Sequence, residues 1–474
     1  MHMTGHAYSP LTSEQLGQLH SSALTILAEM GMVIEHHGLL DALASRGAHI
    51  DHHTFRATFP ATLVERFIAD APKHNWKTAT PRVTGSAGVY ASRYHDPLTD
   101  ELVPWNKERL IHYFALARRL PHVDGATMLG CRVPVPGSLE PLYERYYCWK
   151  HGAADAGTLH IDALCPFILE LYECLAAEQG VPKADVFKGA VYLIPALKLG
   201  RHEAHQVAFF RERGLRVSIG QSMATMGATA PVTLAGAATL NLAEQLALRI
   251  LDWALFDHRR LHLDCSLAAM DMRTTIRPFG RPEMVMANVL TAQLARYYGA
   301  SFNGHAGLSD AKLPSVEAGA QKALSAIPTL LVGGSLWMDV GLLATDEVCS
   351  PIQMALDSEF LSALSHLTRE FAIDEETIGL ADILEAGPGG QYLDSYHTAR
   401  HFRDAVWEPS LWSRQMLNPW LSGARELDID KAREIVLEML YQSDREPQAP
   451  RMSESLEAAV LGVIARAGKA LGIN

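Results

Sequence analysis

From about Lys107 onward the chain alternates between two kinds of segment, and this alternation limits its fold more than any other property. Short apolar runs ("GATMLGCRV", "GTLHID", "AVYLIPAL", "LRVSIGQS", "RLHLDCSL", "YYGASFNG" and "LLVGGSLWM") are separated by stretches with helical periodicity. A strand that is apolar along its whole length, without in–out alternation, is covered on both faces. In α/β proteins crossover helices provide that cover and the sheet is parallel. Seven such units, with an eighth expected near "GLADILEA", predict an α/β protein built as a (β/α)8 barrel over residues 106–425. No GxGxxG follows the first run, which argues against a dinucleotide-binding sheet.

The flanks read differently. Residues 1–105 predict a helical cap: Thr12 and Gln15 form a T-x-x-Q capping box, Leu16, Leu19, Leu24 and Leu27 recur at helical spacing, and Gly31 sits where a helix stops. Two further short helices are expected over Gly38–Ser45 and Thr62–Ala71. Between Trp76 and Trp105 the pattern breaks down and reads as a hairpin or excursion loop. Residues 426–474 predict a helical extension, with helices at Ile429–Tyr441 and Leu456–Ala470, the latter an expected interface between copies of the chain.

Charge and cysteine usage exclude several classes. With 41 Lys and Arg against 53 Asp and Glu among 474 residues, the net charge is −12 and no basic run offers a nucleic-acid surface. The six cysteines are scattered without a CxxC, which fits reduced thiols in a cytoplasmic protein. "MHMTGHAYSP" has no basic-then-apolar leader, and no uncharged run is long enough for a membrane span.

In a barrel, chemistry sits at the C-terminal ends of strands. Asn303 and His305 lie at the end of the "SFNG" strand, followed by Gly307 and Leu308, then Ser309 or Asp310 as the expected N-cap of the next helix. Lys312 would then fall in the first helical turn, where a cation is unfavourable unless it faces a negative group. His305 and Asp310 are the catalytic candidates here, and the loop's N–H groups with Lys312 make an expected anion-binding rim. Thr229 lies in another small-residue loop suited to an anion, or to a tight turn. Trp337 ends a later run as plug or platform. With Tyr90, Tyr94, Trp149 and Phe302 it supplies rings that would cage a quaternary ammonium if they converged. No HExxH, GxSxG or Cys/His arrangement occurs; the His397/His401 pair at i, i+4 lacks a third metal ligand.

Three blocks, "GATAPVTLAGA", "SDAKLPSVEAGAQKAL" and "GPGGQYLDSYHTARHFRDAVWEPSL", together with "EQLGQLHSSALTILAEMGMVIE" near the start, resemble the trimethylamine methyltransferase family over nearly the whole chain. The resemblance implies a barrel enzyme of the EC 2.1.1 type that moves a methyl group from an amine to the Co(I) of a separate corrinoid protein, with no tightly bound cofactor of its own. With only standard residues, the chain resembles the branch without pyrrolysine, whose members act on glycine betaine and related quaternary amines. One departure stands out: the family's D-x-x-T-G-E is "DPLTDE" here, with Asp100 in place of Gly. Family likeness also implies a homo-oligomer. The competing expectations are a metal-dependent barrel hydrolase or lyase, and a betaine-binding protein without turnover.

Overall fold

The structure is a computed structural model that describes residues 10–90, 92–445 and 451–473. Most of the N-terminal stretch read above for a leader lies outside the described residues. Strands β1 (Val83–Val89), β2 (Ala126–Met128), β3 (Ala154–Asp155), β4 (Ala190–Tyr192), β5 (Ser218–Gly220), β6 (His262–Asp264), β7 (Ser301–Ala306) and β8 (Ser335–Val340) are each followed by a helix. These helices are α1 (Lys107–Arg119), α2 (Glu140–His151), α3 (Cys165–Gln179), α4 (Arg201–Arg211), α5 (Leu234–Phe256), α6 (Pro282–Tyr298), α7 (Val316–Leu331) and α8 (Pro351–Leu367).

Six strands form one curled, wholly parallel sheet in the order β6-β7-β8-β1-β2-β3, so the last strand of the series pairs with the first. β4 and β5 make a separate parallel pair. A bridge between Thr158 and Ala190 links the chain after β3 to β4, and the continuations of β5 and β6, Thr225–Met226 and Ala268–Ala269, pair in parallel. Between β5 and β6 themselves side chains take the place of the ladder. Gln221 Nε2 donates to Ser266 Oγ at 3.1 Å, Gln245 of α5 bonds Gln221, and Arg249 Nη2 reaches Asp264 Oδ2 at 3.1 Å.

Alternation along β7 and β8 divides the sheet's two faces. Phe302, Ala306, Leu336, Met338 and Val340 are buried against the helices, whereas Ser301, Asn303, His305, Trp337 and Asp339 point the other way. The second set carries the polar groups.

The first strand was hidden in the stretch expected to be a hairpin or loop. Val83–Val89 contains Gly85, Ser86, Ala87 and Gly88, residues with little intrinsic strand preference. Their smallness is required by packing: a Cβ on Gly85 would stand 2.3 Å from Leu361 Cδ1 of α8. Conversely, "GLADILEA", expected as the eighth strand, is the helix Leu380–Ala386, as its Leu, Ala and Glu content favours. The parallel sheet therefore begins at residue 83, inside the segment assigned to the cap. The hairpin expectation holds for the part beyond it. Arg93–His95 and Leu102–Val103 pair antiparallel and join Val348–Cys349 and Leu342–Leu343 in a small sheet after the ends of β1 and β8.

The cap begins as its sequence demands, with the Thr12/Gln15 capping box and Gly31 at φ 67°. The final helix, Glu454–Ala470, buries Leu456, Val460, Val463, Ile464 and Ala467 against α2 and α3. Its apolar face is thus covered by the same chain, which removes it as the expected interface. Residues 371–427 contrast with the rest: four short helices there bury no side chain. The segment is anchored mainly by Glu359, which accepts the N–H groups of Ser410, Leu411 and Trp412. No helix among the described residues is long and apolar enough to cross a membrane.

Candidate active site

Loops at the C-terminal ends of the strands are tied down by buried or half-buried carboxylates, each accepting more than one donor. Glu244 of α5 takes the N–H groups of Leu197 and Ser222, at 2.9 and 2.7 Å, and the Ser222 hydroxyl. Glu144 of α2 takes Gly130 N–H at 3.0 Å and the Thr158 hydroxyl. Asp310 takes Phe279 N–H at 2.8 Å, Gly280 N–H at 2.9 Å and Thr345 Oγ1 at 3.3 Å. Under β7 and β8, Lys322 and Asp357 form a buried ion pair of 2.9 Å. Lys322 also donates to the carbonyls of Gly307 and Asp339, and Asp357 accepts Gly341 N–H at 2.8 Å. A buried carboxylate is tolerated only when its lone pairs are satisfied in this way.

These ties hold a cluster of ionisable groups at the ends of β6, β7, β8 and β1. His305 Nε2 hydrogen-bonds Asp339 Oδ2 across adjacent strands. Burial pulls the His305 pKa down, but the Asp339 charge and hydrogen bond outweigh it and leave the imidazole above its usual range. The Tyr90 hydroxyl, just after β1, lies near the same carboxylate; burial, then Asp339 and Asp346, raise its pKa and keep it neutral. Asp346, on the turn after β8, is pushed up to about 7 by burial and then by repulsion from Asp339, against the pull of His305, Arg277 and Lys322. Arg277, on the loop after β6, donates to Ser266 O and packs over Phe279. Burial lowers its pKa to about 10, so it stays cationic at neutral pH. His305 keeps 27% of its side chain exposed although it lies on the inner strand face, so it borders open space.

The turn presenting Asp346 is strained. Ala344, Thr345 and Asp346 have φ of 54°, 57° and 70°, a left-handed conformation costing about 1–2 kcal/mol per residue for an L-residue. The segment singled out in the sequence holds it there. Ala344 N–H donates to Ala311 O at 2.8 Å and Thr345 N–H to Ser309 O at 3.0 Å. Strain kept by its surroundings is a mark of functional positions.

Of the residues expected at the site, the structure brings His305 and Tyr90 together and sets Asn303 and Trp337 on the same sheet face below them. The others lie elsewhere. Asp310 is a bracket between loops rather than a group facing open space. The helix expected from Ser309 begins instead at Val316, capped by Ser315, because Pro314 keeps Leu313 out of helical geometry. Lys312 therefore occupies no helical turn; it is exposed, and its Nζ folds back to Asp310 O at 2.7 Å. The N–H groups of Gly307, Asp310 and Ala311 are taken by Ser325, Gln321 and Ser309, so these three do not form the expected anion-binding rim. Leu308 is buried. Thr229 is exposed and its hydroxyl accepts Thr225 N–H at 2.9 Å, so its loop is a tight turn.

Nor do the rings converge. Phe302 faces the helices. Tyr94 is 5.2 Å from Trp105 in an edge contact within the small sheet. Trp149 donates to Asp155 at 2.9 Å on the helix side of β3. Trp149 and Trp337 border a cavity of about 450 Å³ at the opposite, N-terminal end of β2 and β3. Arg277 and Asp346 were not anticipated, although the strand-end rule that marked His305 applies equally to the loops after β6 and β8. Among the described residues no three His, Cys, Asp or Glu side chains group as metal ligands; His401 lies 3.6 Å from Glu376 on the exposed segment. Asp100 has an account of its own: φ is 63°, where Gly is ordinary, and its carboxylate bonds His95 and Arg433, both at 2.8 Å.

Against known families, residues 2–84 and 188–472 match the model for trimethylamine methyltransferase (MTTB), and the chain belongs to that family. It is 22% identical to trimethylamine methyltransferase MttB of Desulfitobacterium hafniense (strain DSM 10664 / DCB-2), over 96% of this chain and 94% of that protein. It is 24% identical to glycine betaine methyltransferase of Desulfitobacterium hafniense (strain Y51), over 98% of both. The MttB of Methanosarcina thermophila is 23% identical over 94% of this chain and 95% of its own length. Among solved structures, the monomethylamine methyltransferase MtmB of Methanosarcina barkeri superposes with a TM-score of 0.44 at 12% identity, covering 98% of this chain and 88% of that one.

Proposed function

We propose that the eight strand–helix units form a (β/α)8 barrel whose C-terminal mouth removes a methyl group from a small quaternary amine of the betaine class and passes it to a corrinoid protein. The observation that carries this reading is the gathering of Tyr90, Arg277, His305, Asp339 and Asp346 at the C-terminal ends of four neighbouring strands, in a chain of this family. Its relatives include methyltransferases named for trimethylamine and for glycine betaine. Co(I) of the partner would supply the nucleophile.

What this chain supplies is orientation and electrostatics. As the methyl leaves, the C–N bonding pair stays on nitrogen and the amine departs neutral, so a quaternary substrate needs no proton donor. His305, locked to Asp339, and the buried Tyr90 beside it then act as a wall. Because the ammonium's charge vanishes in the transition state, a carboxylate near it steadies the bound substrate and not the transfer step itself; Asp339 is turned to His305. The rim around the mouth suits an acceptor that arrives from outside. Ile194, Met223, Met272 and Ile276 on loops after strands, and Val316 at the start of α7, are exposed apolar side chains, and such patches mark protein contacts.

The test is to mix the protein with reduced cobalamin and a panel of quaternary and tertiary amines. A fall in Co(I) absorbance with a betaine is expected. Transfer from trimethylamine alone, or from nothing in the panel, rejects the reading.

A further inference from the structure

We infer that Arg277 and Asp346 form a two-ended receptor that selects zwitterions, the guanidinium taking a carboxylate tail and the Asp346 carboxylate steadying the cationic end. This deepens the reading above and rests on it.

Opposite charges inside a protein ordinarily close on each other, because an unpaired buried charge is costly. These two do not. Each feels the other's field, yet no ion pair joins them within 4.0 Å. Each also keeps buried polar atoms without a partner: Nε and Nη1 of Arg277 and Oδ1 of Asp346. Their separation is built in. Asp310 accepts the N–H groups of Phe279 and Gly280, fixing the loop that carries Arg277, and also the Thr345 hydroxyl, fixing the turn that carries Asp346. Arg277 is further held by Ser266 O, through Nη2. The strained backbone at Ala344, Thr345 and Asp346 keeps that carboxylate from relaxing elsewhere.

A guanidinium with two unused donors matches a carboxylate, which it binds through charge-assisted hydrogen bonds. A buried carboxylate oxygen without a donor, as in Asp346, matches a cation. One small molecule bearing both charges satisfies both ends, and an amine without an acidic tail satisfies one. A buried group left unpaired by the wrong ligand is a strong source of discrimination.

Calorimetry without any corrinoid tests the assignment, using glycine betaine and choline as probes. The wild-type protein is expected to bind glycine betaine at least about tenfold more tightly than choline. Arg277→Gln should remove most of that preference by weakening glycine betaine while choline still binds, and an unaltered thermal unfolding midpoint shows that the variant is folded. Arg277→Lys, which keeps the charge but loses the Nε and Nη1 donors, should fall between. Asp346→Asn should weaken both probes. Equal affinity of the wild type for the two probes, no binding of glycine betaine, or Arg277→Gln without effect on the preference each overturns the inference. Methyl transfer is scored separately. Transfer from choline with no betaine preference refutes the receptor and leaves the methyltransferase reading standing; Arg277-dependent betaine binding without transfer from any amine does the reverse.

Discussion

Two charged groupings lie close together in this molecule, and they are built on opposite plans. Beneath the strand ends, Lys322 is 1% exposed and uses its donors on Asp357, Gly307 O and Asp339 O, while Asp357 is filled by Lys322, Gly341 and Gln353. At the mouth, Arg277 and Asp346 stand apart with buried atoms unpaired. The first grouping is complete without a ligand and belongs to the scaffold. The second is incomplete, and its incompleteness is kept by Asp310 and a strained turn. Satisfaction of hydrogen bonds, more than the presence of charge, separates framework from site.

The largest expected effect falls on the complete grouping. Lys322→Met strands the Asp357 carboxylate in the core and should cost about 3–5 kcal/mol. Thermal unfolding would show this as a drop of several degrees; an unaltered midpoint would erase the distinction drawn here. The double change Lys322→Met with Asp357→Leu should recover part of the loss. Next is Asp310→Ala, which unties the two loops. It should weaken glycine betaine binding about tenfold, as expected for losing hydrogen bonds to a charged acceptor. If binding survives while stability falls, Asp310 serves the scaffold alone.

The third prediction concerns pH. The Asp346 pKa of about 7 in the folded chain lies above its ordinary value, so the ionised form is disfavoured by folding. Between about pH 4 and 7 the unfolded chain releases a proton that the folded one keeps, and stability falls as pH rises through that window. A bound cation reverses the preference. Affinity for a betaine should therefore climb with pH up to about 7, by no more than about tenfold per unit, and then level off. Binding at about pH 6 should release a proton, seen as a calorimetric enthalpy that changes with the buffer. Asp339, His305, Arg277, Lys322 and Tyr90 surround the group, and His305 is hydrogen-bonded to Asp339. A flat profile without proton release separates Asp346 from the cation. The smallest effect belongs to Lys312→Ala, since this side chain touches only its own loop: binding should change less than twofold, and stability by at most about 0.5 kcal/mol.

The parallel α/β pattern was legible because fully apolar strands and amphipathic helices differ in period, and the terminal helices and the Thr12 capping box because local chemistry decides them. β1 was illegible for the opposite reason. Its Gly, Ser and Ala content answers to the side chains of α8 and β8, contacts that no local window contains. At the site, His305 followed from its place at a strand end. Lys312 misled because its meaning depended on where a helix begins, and Pro314 with Ser315 shifts that start beyond it. The aromatic cage failed on direction: on a strand, Phe302 and His305 point to opposite faces, and on the packed α2 Trp149 turns to Asp155. Arg277 and Asp346 come together only through the tie at Asp310, which joins segments more than thirty residues apart in sequence.

The interruption between β5 and β6 has a consequence for how the whole sheet breathes. β6, β7, β8, β1, β2 and β3 are joined by backbone rungs, but between β5 and β6, short of their paired continuations at Thr225–Met226 and Ala268–Ala269, the link is made of Gln221, Gln245, Arg249, Asp264 and Ser266. Side-chain fastenings part without unzipping a ladder. Deuterium should therefore enter the amides flanking this seam sooner than those of β7 and β8, which lie between paired neighbours on both sides.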